Sequence, residues 1–221
     1  MELEGLGYPD LVRLKNSRIA LVGLTGIGIT ALLAIISTGV SNIKLVDINT
    51  VNEQLLPQGT FFSKRDIGKP KTIAVKEKLV ELRLIDNIAI SNVELRESNI
   101  ATVLADYDVV IYASYHRETL QLIGRYCADH NKPLIWTAGC RFASYLLFAP
   151  ATDIPAYLST AIEEVDGRFE NDSYYPSYVS AFAGGAAASV AINALLGKAT
   201  PIFRKCNVNT LIVDYLQPNI I

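Results

Sequence analysis

A glycine-rich turn followed by an acidic strand end is the strongest chemical signal in this 221-residue chain. The glycines are Gly23, Gly26 and Gly28, and the acid is Asp47. Such a turn lets the backbone approach phosphate groups at a helix N-terminus, and an acid at the end of the next strand accepts hydrogen bonds from ribose hydroxyls. The sequence therefore predicts a nucleotide-binding site.

The spacing of the glycines indicates which kind of nucleotide is bound. The turn reads GxxGxG, whereas the dinucleotide fingerprint reads GxGxxG, and Thr25 stands where that fingerprint has its second glycine. This departure disfavours a nicotinamide or flavin dinucleotide, which remains the most remote alternative. A basic segment, RDIGKPK, follows the acidic strand and ends in Lys71.

The elements that position these residues follow from the hydrophobic pattern. Strands alternate with helices up to residue 139, which predicts a Rossmann-like, doubly wound α/β fold with a mainly parallel sheet. Beyond residue 139 the pattern changes and predicts a C-terminal antiparallel extension. The predicted strands cover 19–22, 43–47, 88–93, 109–114, 134–138, the SYLLFAP segment and 211–215. The main predicted helices cover 26–37, 71–82, 117–131 and 180–196, whereas residues 159–177 are interpreted as a long polar connection.

Composition narrows the possible partners. The net charge is −2, and there is no basic patch of the size that nucleic acid requires. Half of the residues are hydrophobic, which indicates either a buried subunit interface or parallel strands that are apolar on both faces. The apolar run 181–196 is interpreted as a buried helix and not as a membrane span, and no targeting segment is recognised.

Cysteine usage predicts the compartment and argues against a structural zinc site. Cys127, Cys140 and Cys206 are isolated, which is typical of a reducing, cytoplasmic environment. A structural zinc site built from two CxxC pairs is not expected. Cys140 is interpreted as buried, with the alternative that the neighbouring Arg141 lowers its pKa and makes it reactive.

Several motifs in order, VGxxGxG, LVD, DIGKPK and a late small-residue helix before a final strand, resemble the ubiquitin-activating-enzyme superfamily, which includes ThiF, MoeB and HesA. The resemblance implies one adenylation-type domain over 1–221. Residues 1–139 would form the nucleotide-binding half, and 140–221 the sheet extension, the crossover loop and a dimer-forming helix. It also implies ATP as the cofactor, bound by the glycine turn, Asp47 and Lys71, for adenylating the C-terminal carboxylate of a ubiquitin-like or sulfur-carrier protein.

The resemblance does not extend to the positions at which family members have catalytic and metal-binding residues. Leu55 stands at the family's asparagine, Gln58 at its arginine and Tyr115 at the aspartate that helps to bind Mg²⁺. Mg²⁺ binding is therefore left open, and no catalytic residue is assigned. Residues 163–178 contain no cysteine for a thioester. His116, at the tip of a central strand, is either a ligand for a base or phosphate or an ordinary surface residue.

This pattern of retained and lost residues predicts a degenerate, non-catalytic or regulatory member of the superfamily. It resembles the non-catalytic half of heterodimeric activating enzymes, such as the smaller subunit of the SUMO-activating enzyme. The expected assembly is a homodimer or a heterodimer with a catalytic homologue, with the loop after Asp47 and the helix at 181–196 near the interface. The alternative is an active adenylyltransferase with a rebuilt site that acts on a peptide, a carrier protein or a small carboxylate.

Overall fold

The computed structural model describes residues 6–58, 61–85, 88–169 and 175–218. The helices are α1 (Tyr8–Asn16), α2 (Gly26–Ser37), α3 (Lys71–Glu81), α4 (Ile100–Leu104), α5 (Arg117–Asp129), α6 (Ile154–Val165) and α7 (Ser177–Leu195). The strands are β1 (Arg18–Val22), β2 (Asn42–Val46), β3 (Ala89–Ser91), β4 (Val109–Tyr112), β5 (Leu134–Cys140), β6 (Ala143–Ala149), β7 (Ile202–Asn207) and β8 (Ile212–Tyr215). Two short 3-10 helices, Glu53–Gln58 and Lys64–Asp66, lie between β2 and α3.

All eight strands form one sheet in the order β3-β2-β1-β4-β5-β6-β7-β8. The pairs among β1 to β5 are parallel, and β6 to β8 add three antiparallel pairs. The four residues of β4 are all buried, as expected for a central parallel strand that is covered on both faces. The predicted α/β fold with its antiparallel extension is confirmed.

Two apolar clusters lie on opposite faces of the sheet, and the helices in each cluster show where the strand order reverses. One cluster joins α2, α3 and α7 to one face of the sheet, and the other joins α4, α5 and α6 to the opposite face. In the sheet, β2 and β3 lie on one side of β1, and β4 and β5 lie on its other side. The strand order therefore reverses its direction between β1 and β4. Open α/β sheets bind ligands at such a switch point, outside the carboxyl ends of the strands.

Helix α7 packs closely against α2, and its glycines explain how. A Cβ added to Gly184 would lie 2.6 Å from the Ile27 carbonyl oxygen, whereas a Cβ on the adjacent Gly185 would meet no atom within 4 Å. Among the described residues, α7 is the single helix whose length and composition would allow it to cross a bilayer, a test that buried core helices also pass. Its contacts with α2 confirm the expectation of a helix packed in the core.

The structure differs from the sequence-based prediction after β6. Helix α6 occupies the first part of the segment that we expected to be a polar connection, and that expectation was wrong. Its buried Ile154, Leu158 and Ile162 recur every four residues and face the α5 side of the sheet. Ser159 and Thr160 between them, and Glu163 and Glu164 after them, hid this pattern. Strand β7 was also missed, because Phe203 and Cys206 are its only buried residues and do not alternate.

Candidate functional site

A cavity of about 340 Å³ lies at the carboxyl ends of β1, β2 and β4, at the switch point of the sheet. Its wall includes most of the predicted site residues, namely Gly23, Asp47, Lys71 and His116, together with Thr25 and Tyr115. The structure thus brings together residues that are up to 93 positions apart (from 23 to 116) in the sequence. Gly26 and Gly28 do not line this cavity.

Asp47 is the centre of the hydrogen-bond network beside the glycine turn. Its Oδ2 accepts from the Leu24 N–H at 2.7 Å, and its Oδ1 accepts from the Asn49 N–H at 2.8 Å. The Nζ atom of Lys71 lies 3.5 Å from Asp47 Oδ2, and both side chains are buried. Lys71 begins α3, and its backbone N–H donates to the Asn49 carbonyl at 3.0 Å. Asp47 therefore holds the turn in place and balances a buried cation.

The glycine turn is shaped by close approaches of the backbone. Gly23 has a φ of +93°, and a Cβ there would lie 3.0 Å from the Ala113 carbonyl oxygen at the end of β4. A Cβ on Gly28 would lie only 2.1 Å from the Gly23 carbonyl oxygen. Both glycines are needed because α2 begins directly against the turn. Gly26 instead lines a smaller, separate cavity beside the aromatic side chains of residues 61 and 62.

The N-terminus of α2 is largely capped by the chain's own groups. The Thr25 hydroxyl accepts from the Gly28 N–H at 3.3 Å and donates to the Ala113 carbonyl at 2.9 Å. Burial raises the pKa of Tyr175, and hydrogen bonds with the Thr25 hydroxyl and the Ile27 backbone oppose this rise. Tyr175 therefore places its phenol at the helix end where a phosphate was expected. The sequence carries no local signal of this contact, because Tyr175 lies far from the turn in the chain.

Tyr115 occupies the position of the metal-binding carboxylate and belongs to an aromatic cluster. Its ring centroid lies 4.7 Å from that of Phe169 and 6.0 Å from that of Trp136. Its hydroxyl donates to Asp166 Oδ1 at 3.2 Å. Burial, together with the nearby Asp166 charge, raises the pKa of Tyr115 to about 12. This side chain contributes packing and a neutral phenol where a carboxylate would provide a negative charge.

The other singled-out residues lie at the edge of the site. His116 precedes α5, its side chain is 66% exposed, and its ring nitrogens lie 3.1 Å from Thr119 Oγ1 and 3.3 Å from Glu118 Oε2. Leu55 lies in the first 3-10 helix and packs against the core on the α2 side. Gln58 ends the same helix, and its side chain lies outside the described part of the chain.

Metal-ligating and nucleophilic groups are sparse. Among the described residues, no group of three or more His, Cys, Asp or Glu is arranged to hold a metal ion. All three cysteines are buried, and burial raises the pKa of Cys127 to about 12. The Cys140 thiol donates to the Arg168 carbonyl at 3.4 Å, so the structure supports the buried interpretation of this residue.

Comparison with curated proteins finds adenylyltransferases among the relatives. The molybdopterin-synthase adenylyltransferase of Escherichia coli is 30% identical over 141 residues, which cover 63% of this chain and 56% of that protein. The sulfur carrier protein adenylyltransferase of Thermus thermophilus is 27% identical over 142 residues, which cover 64% of this chain and 52% of that protein. The chain thus matches about half the length of these relatives.

Comparison with solved structures supports the fold. E. coli MccB with ATP superposes with a TM-score of 0.78 at 17% identity and covers 95% of this chain and 66% of MccB. PaaA superposes with a TM-score of 0.76 at 15% identity and covers 95% of this chain and 75% of PaaA. The model of the ThiF family matches residues 1–219. The chain therefore belongs to the ThiF family.

Proposed function

We propose that this protein binds ATP in the cavity at the switch point but has lost most or all of the adenylyl-transfer activity of its family. It acts as a degenerate or regulatory member in a carboxylate-activation pathway, of the ubiquitin-like or sulfur-carrier kind. The proposal rests on one observation, which is a contrast between two parts of the same cavity. The Asp47–Lys71 pair is intact and buried, whereas Tyr115 replaces the carboxylate expected to bind the metal.

The residues present fit the nucleoside and one phosphate. A carboxylate has about four acceptor positions. Asp47 accepts from two backbone N–H groups and pairs with Lys71 through Oδ2, which leaves capacity for a ribose hydroxyl. Lys71 supplies the buried positive charge in the wall of the cavity. Gly23 has no side chain, which leaves space beside the backbone for the ribose and the phosphates. Bound ATP would supply the activated α-phosphate that a carboxylate attacks.

The strand end at which the family's metal-binding carboxylate is expected does not fit the catalytic metal. The carboxyl end of β4 carries Ser114, Tyr115 and His116, and none of them is a carboxylate. Adenylyl transfer develops negative charge at the phosphates, which cations or metal ions must balance. Among the described residues that line the cavity, Lys71 carries a positive charge, and Asp47 and Glu94 carry negative charges. Adenylyl transfer therefore lacks a carboxylate ligand for Mg²⁺ at the end of β4.

The capping of α2 supports the same conclusion. The N–H groups of Leu24 and Gly28 are bonded to Asp47 and Thr25, and the Tyr175 phenol lies at Ile27. A phosphate at this helix end competes with groups that already satisfy the backbone. Nucleotide binding is therefore expected to depend on the ribose side of the cavity more than on the phosphate side.

An active adenylyltransferase with a rebuilt site is the second candidate. It is favoured by the names of the curated relatives, which are adenylyltransferases. A rebuilt site would need new cations near the phosphates, supplied by this chain or by a dimer partner. Arg117, which follows the cavity residue His116, is one candidate, although its guanidinium pairs with Asp166 at 2.7 Å.

The same proposal includes the assembly and setting of the protein. The domain covers residues 1–221 as a cytoplasmic homodimer, or as a heterodimer with a catalytic homologue. Helix α7 carries the exposed Tyr178 and Phe182, which are available for such an interface. The partner substrate would be a ubiquitin-like protein, a carrier protein or a peptide, and neither nucleic acid nor a membrane is involved.

Two assays on the same purified protein test the proposal. Titration calorimetry with ATP measures binding, and exchange of labelled pyrophosphate into ATP, with Mg²⁺ and candidate carboxylates, measures adenylation. Light scattering reports the oligomeric state. The proposal expects ATP binding without exchange, whereas the second candidate expects both.

A further inference from the structure

A groove of about 370 Å³ lies between helices α5 and α6, on the face of the sheet opposite to α2 and α7. Leu134 and Ala149 are register partners in the antiparallel pair of β5 and β6. Helix α5 ends shortly before Leu134, and α6 begins shortly after Ala149. The two helices therefore run antiparallel, with the end of α5 beside the start of α6. No described residue lines both this groove and the cavity at the switch point.

The floor of the groove is apolar. On α6, Ile154, Leu158 and Ile162 recur every four residues and are buried. On α5, Gly124 and Ala128 line the groove at the same spacing. A Cβ added to Gly124 would lie 2.5 Å from Leu158 Cδ2. The small residues of α5 therefore let α6 approach closely and leave a depression beside its apolar side chains.

The two charged side chains in the wall of the groove differ in their pairing. Arg125 is paired, because its Nη2 lies 2.8 Å from Glu97 Oε1. Asp129 is exposed, and its side chain forms no hydrogen bond or ion pair with the described residues. Asp129 also lies in the last turn of α5, which contains no basic residue, although a helix C-terminus favours a cation.

The neighbouring charges are engaged elsewhere. The Nζ atom of Lys132 donates to the carbonyl oxygens of Ala105 and Tyr107 at 2.7 and 2.6 Å. Asp153 precedes α6, where a carboxylate complements the positive end of a helix. Among the described residues that line the groove, Asp129 is therefore the charge that lacks a partner.

We propose that this groove, which we call the α5–α6 groove, docks a basic amphipathic helix of a partner protein. Apolar side chains of the partner helix, spaced three or four residues apart, cover Gly124, Ala128 and the apolar face of α6. A lysine or arginine of the same helix pairs with Asp129. Charge complementarity thus determines the sign of the partner, and the apolar floor determines its pattern.

The dimensions of the groove suit a helix. Its lining residues span 121–129 on α5 and 154–162 on α6, and each span is about 12 Å long, or slightly more than two helical turns. A small apolar ligand would occupy part of this volume but would leave Asp129 unpaired, so a basic helix accounts for more of the surface. The docking does not depend on the proposed nucleotide binding.

The test measures, by fluorescence anisotropy, binding of a designed helical peptide to the full chain. The peptide carries an uncharged dye, leucines every three or four residues and lysines at one end. Asp129→Lys should weaken its binding by about fivefold or more at low salt, because attraction becomes repulsion. A second peptide, with glutamate in place of lysine, should bind Asp129→Lys more tightly than it binds the native protein.

Glu81→Lys is the matched control for the change of charge. Glu81 is an exposed carboxylate at the end of α3, which packs on the opposite face of the sheet. The substitution should leave the binding of both peptides unchanged. A general effect of net charge would instead change binding equally in Glu81→Lys and Asp129→Lys.

Ala128→Gln tests the groove itself. The longer side chain fills the depression and should abolish binding of the lysine peptide, while the circular-dichroism spectrum of the protein stays unchanged. A peptide with the same residues in scrambled order should bind far more weakly than the amphipathic one. The proposal is overturned by absent binding, by equal binding of the scrambled peptide, by an equal loss in Glu81→Lys, by unchanged binding in Ala128→Gln, or by a glutamate peptide that gains nothing in Asp129→Lys.

Discussion

The two sides of the cavity at the switch point contain different chemical groups. On the β1–β2 side, Asp47 accepts two backbone N–H groups and balances the buried Lys71. On the β4–β5 side, Tyr115 packs on Phe169 and Trp136 and donates to Asp166. The first side is suited to recognition of a ribose and a phosphate, and the second is occupied by aromatic packing. The same fold thus places a buried ion pair on one side of a cavity and an aromatic cluster on the other.

The largest expected effect comes from the turn that both sides share. Gly28→Ala places a Cβ about 2 Å from the Gly23 carbonyl oxygen, a contact that only a backbone shift relieves. We expect the free energy of unfolding to fall by about 3 kcal/mol or more, at the upper end of overpacking effects. Chemical denaturation measures this change. Gly185→Ala is the control, because it meets open space and should stabilise helix α7 by about 0.5–1 kcal/mol.

The next effect contrasts the two sides directly. Asp47→Ala leaves Lys71 buried without its carboxylate and leaves the Leu24 N–H without its acceptor, which should cost about 3 kcal/mol. Tyr115→Phe removes one partly exposed hydrogen bond and should cost about 1 kcal/mol or less. ATP affinity should fall at least tenfold in Asp47→Ala and remain within about twofold in Tyr115→Phe. Similar costs for both variants would contradict the division of the cavity into two sides.

A smaller effect is expected at the N-terminus of α2. Tyr175→Phe removes the phenol at Ile27 and leaves the ring packed against Gly139. Stability should fall by about 1 kcal/mol, the usual value of a buried hydrogen bond. The released N–H then becomes available to a phosphate, so ATP affinity should rise several-fold. Calorimetry that shows weaker ATP binding in this variant would instead assign Tyr175 to the nucleotide site.

The smallest effect is a pH dependence on the aromatic side. The pKa of Tyr115 is raised from 10.0 to about 12, so the unfolded chain loses this proton before the folded protein does. The contribution of Tyr115 to stability is complete below pH 10 and is lost as the pH rises from about 10 to 12. Burial also raises the pKa of Tyr145 and of Tyr175, so the measurement is the difference between the native protein and Tyr115→Phe. Parallel stability curves from pH 9 to 12 would show that Tyr115 is not shielded as described.

Local sequence signals account for most of the fold. Helix α2 begins and ends as predicted, because Thr25 caps its N-terminus and Gly39, with a φ of +95°, follows its end. Helix α6 was missed because polar residues lie between the residues of its buried face. Strand β7 was missed because its hydrophobic pattern is weak, and its pairing with β6 and β8 stabilises it instead. These elements depend on tertiary contacts that a local pattern does not encode.

The site was predictable only in part for the same reason. The placement of Asp47 and Lys71 in one cavity follows from their positions after β2 and at the start of α3. Their mutual pairing and the two backbone bonds to Asp47 became visible only in the structure. The contacts of Tyr175 with the turn and of Tyr115 with Asp166 join segments about 150 and 50 positions apart, and no spacing rule reports such contacts.

The most direct test of the central claim measures ATP binding and pyrophosphate exchange on one preparation of the native protein. Calorimetry should detect ATP binding at or below millimolar nucleotide, and exchange with Mg²⁺ and carrier-protein, peptide or small-molecule carboxylates should remain at the background rate. Exchange above background with any of these carboxylates would contradict the loss of catalysis. Absence of ATP binding at millimolar concentration would contradict the nucleotide site itself.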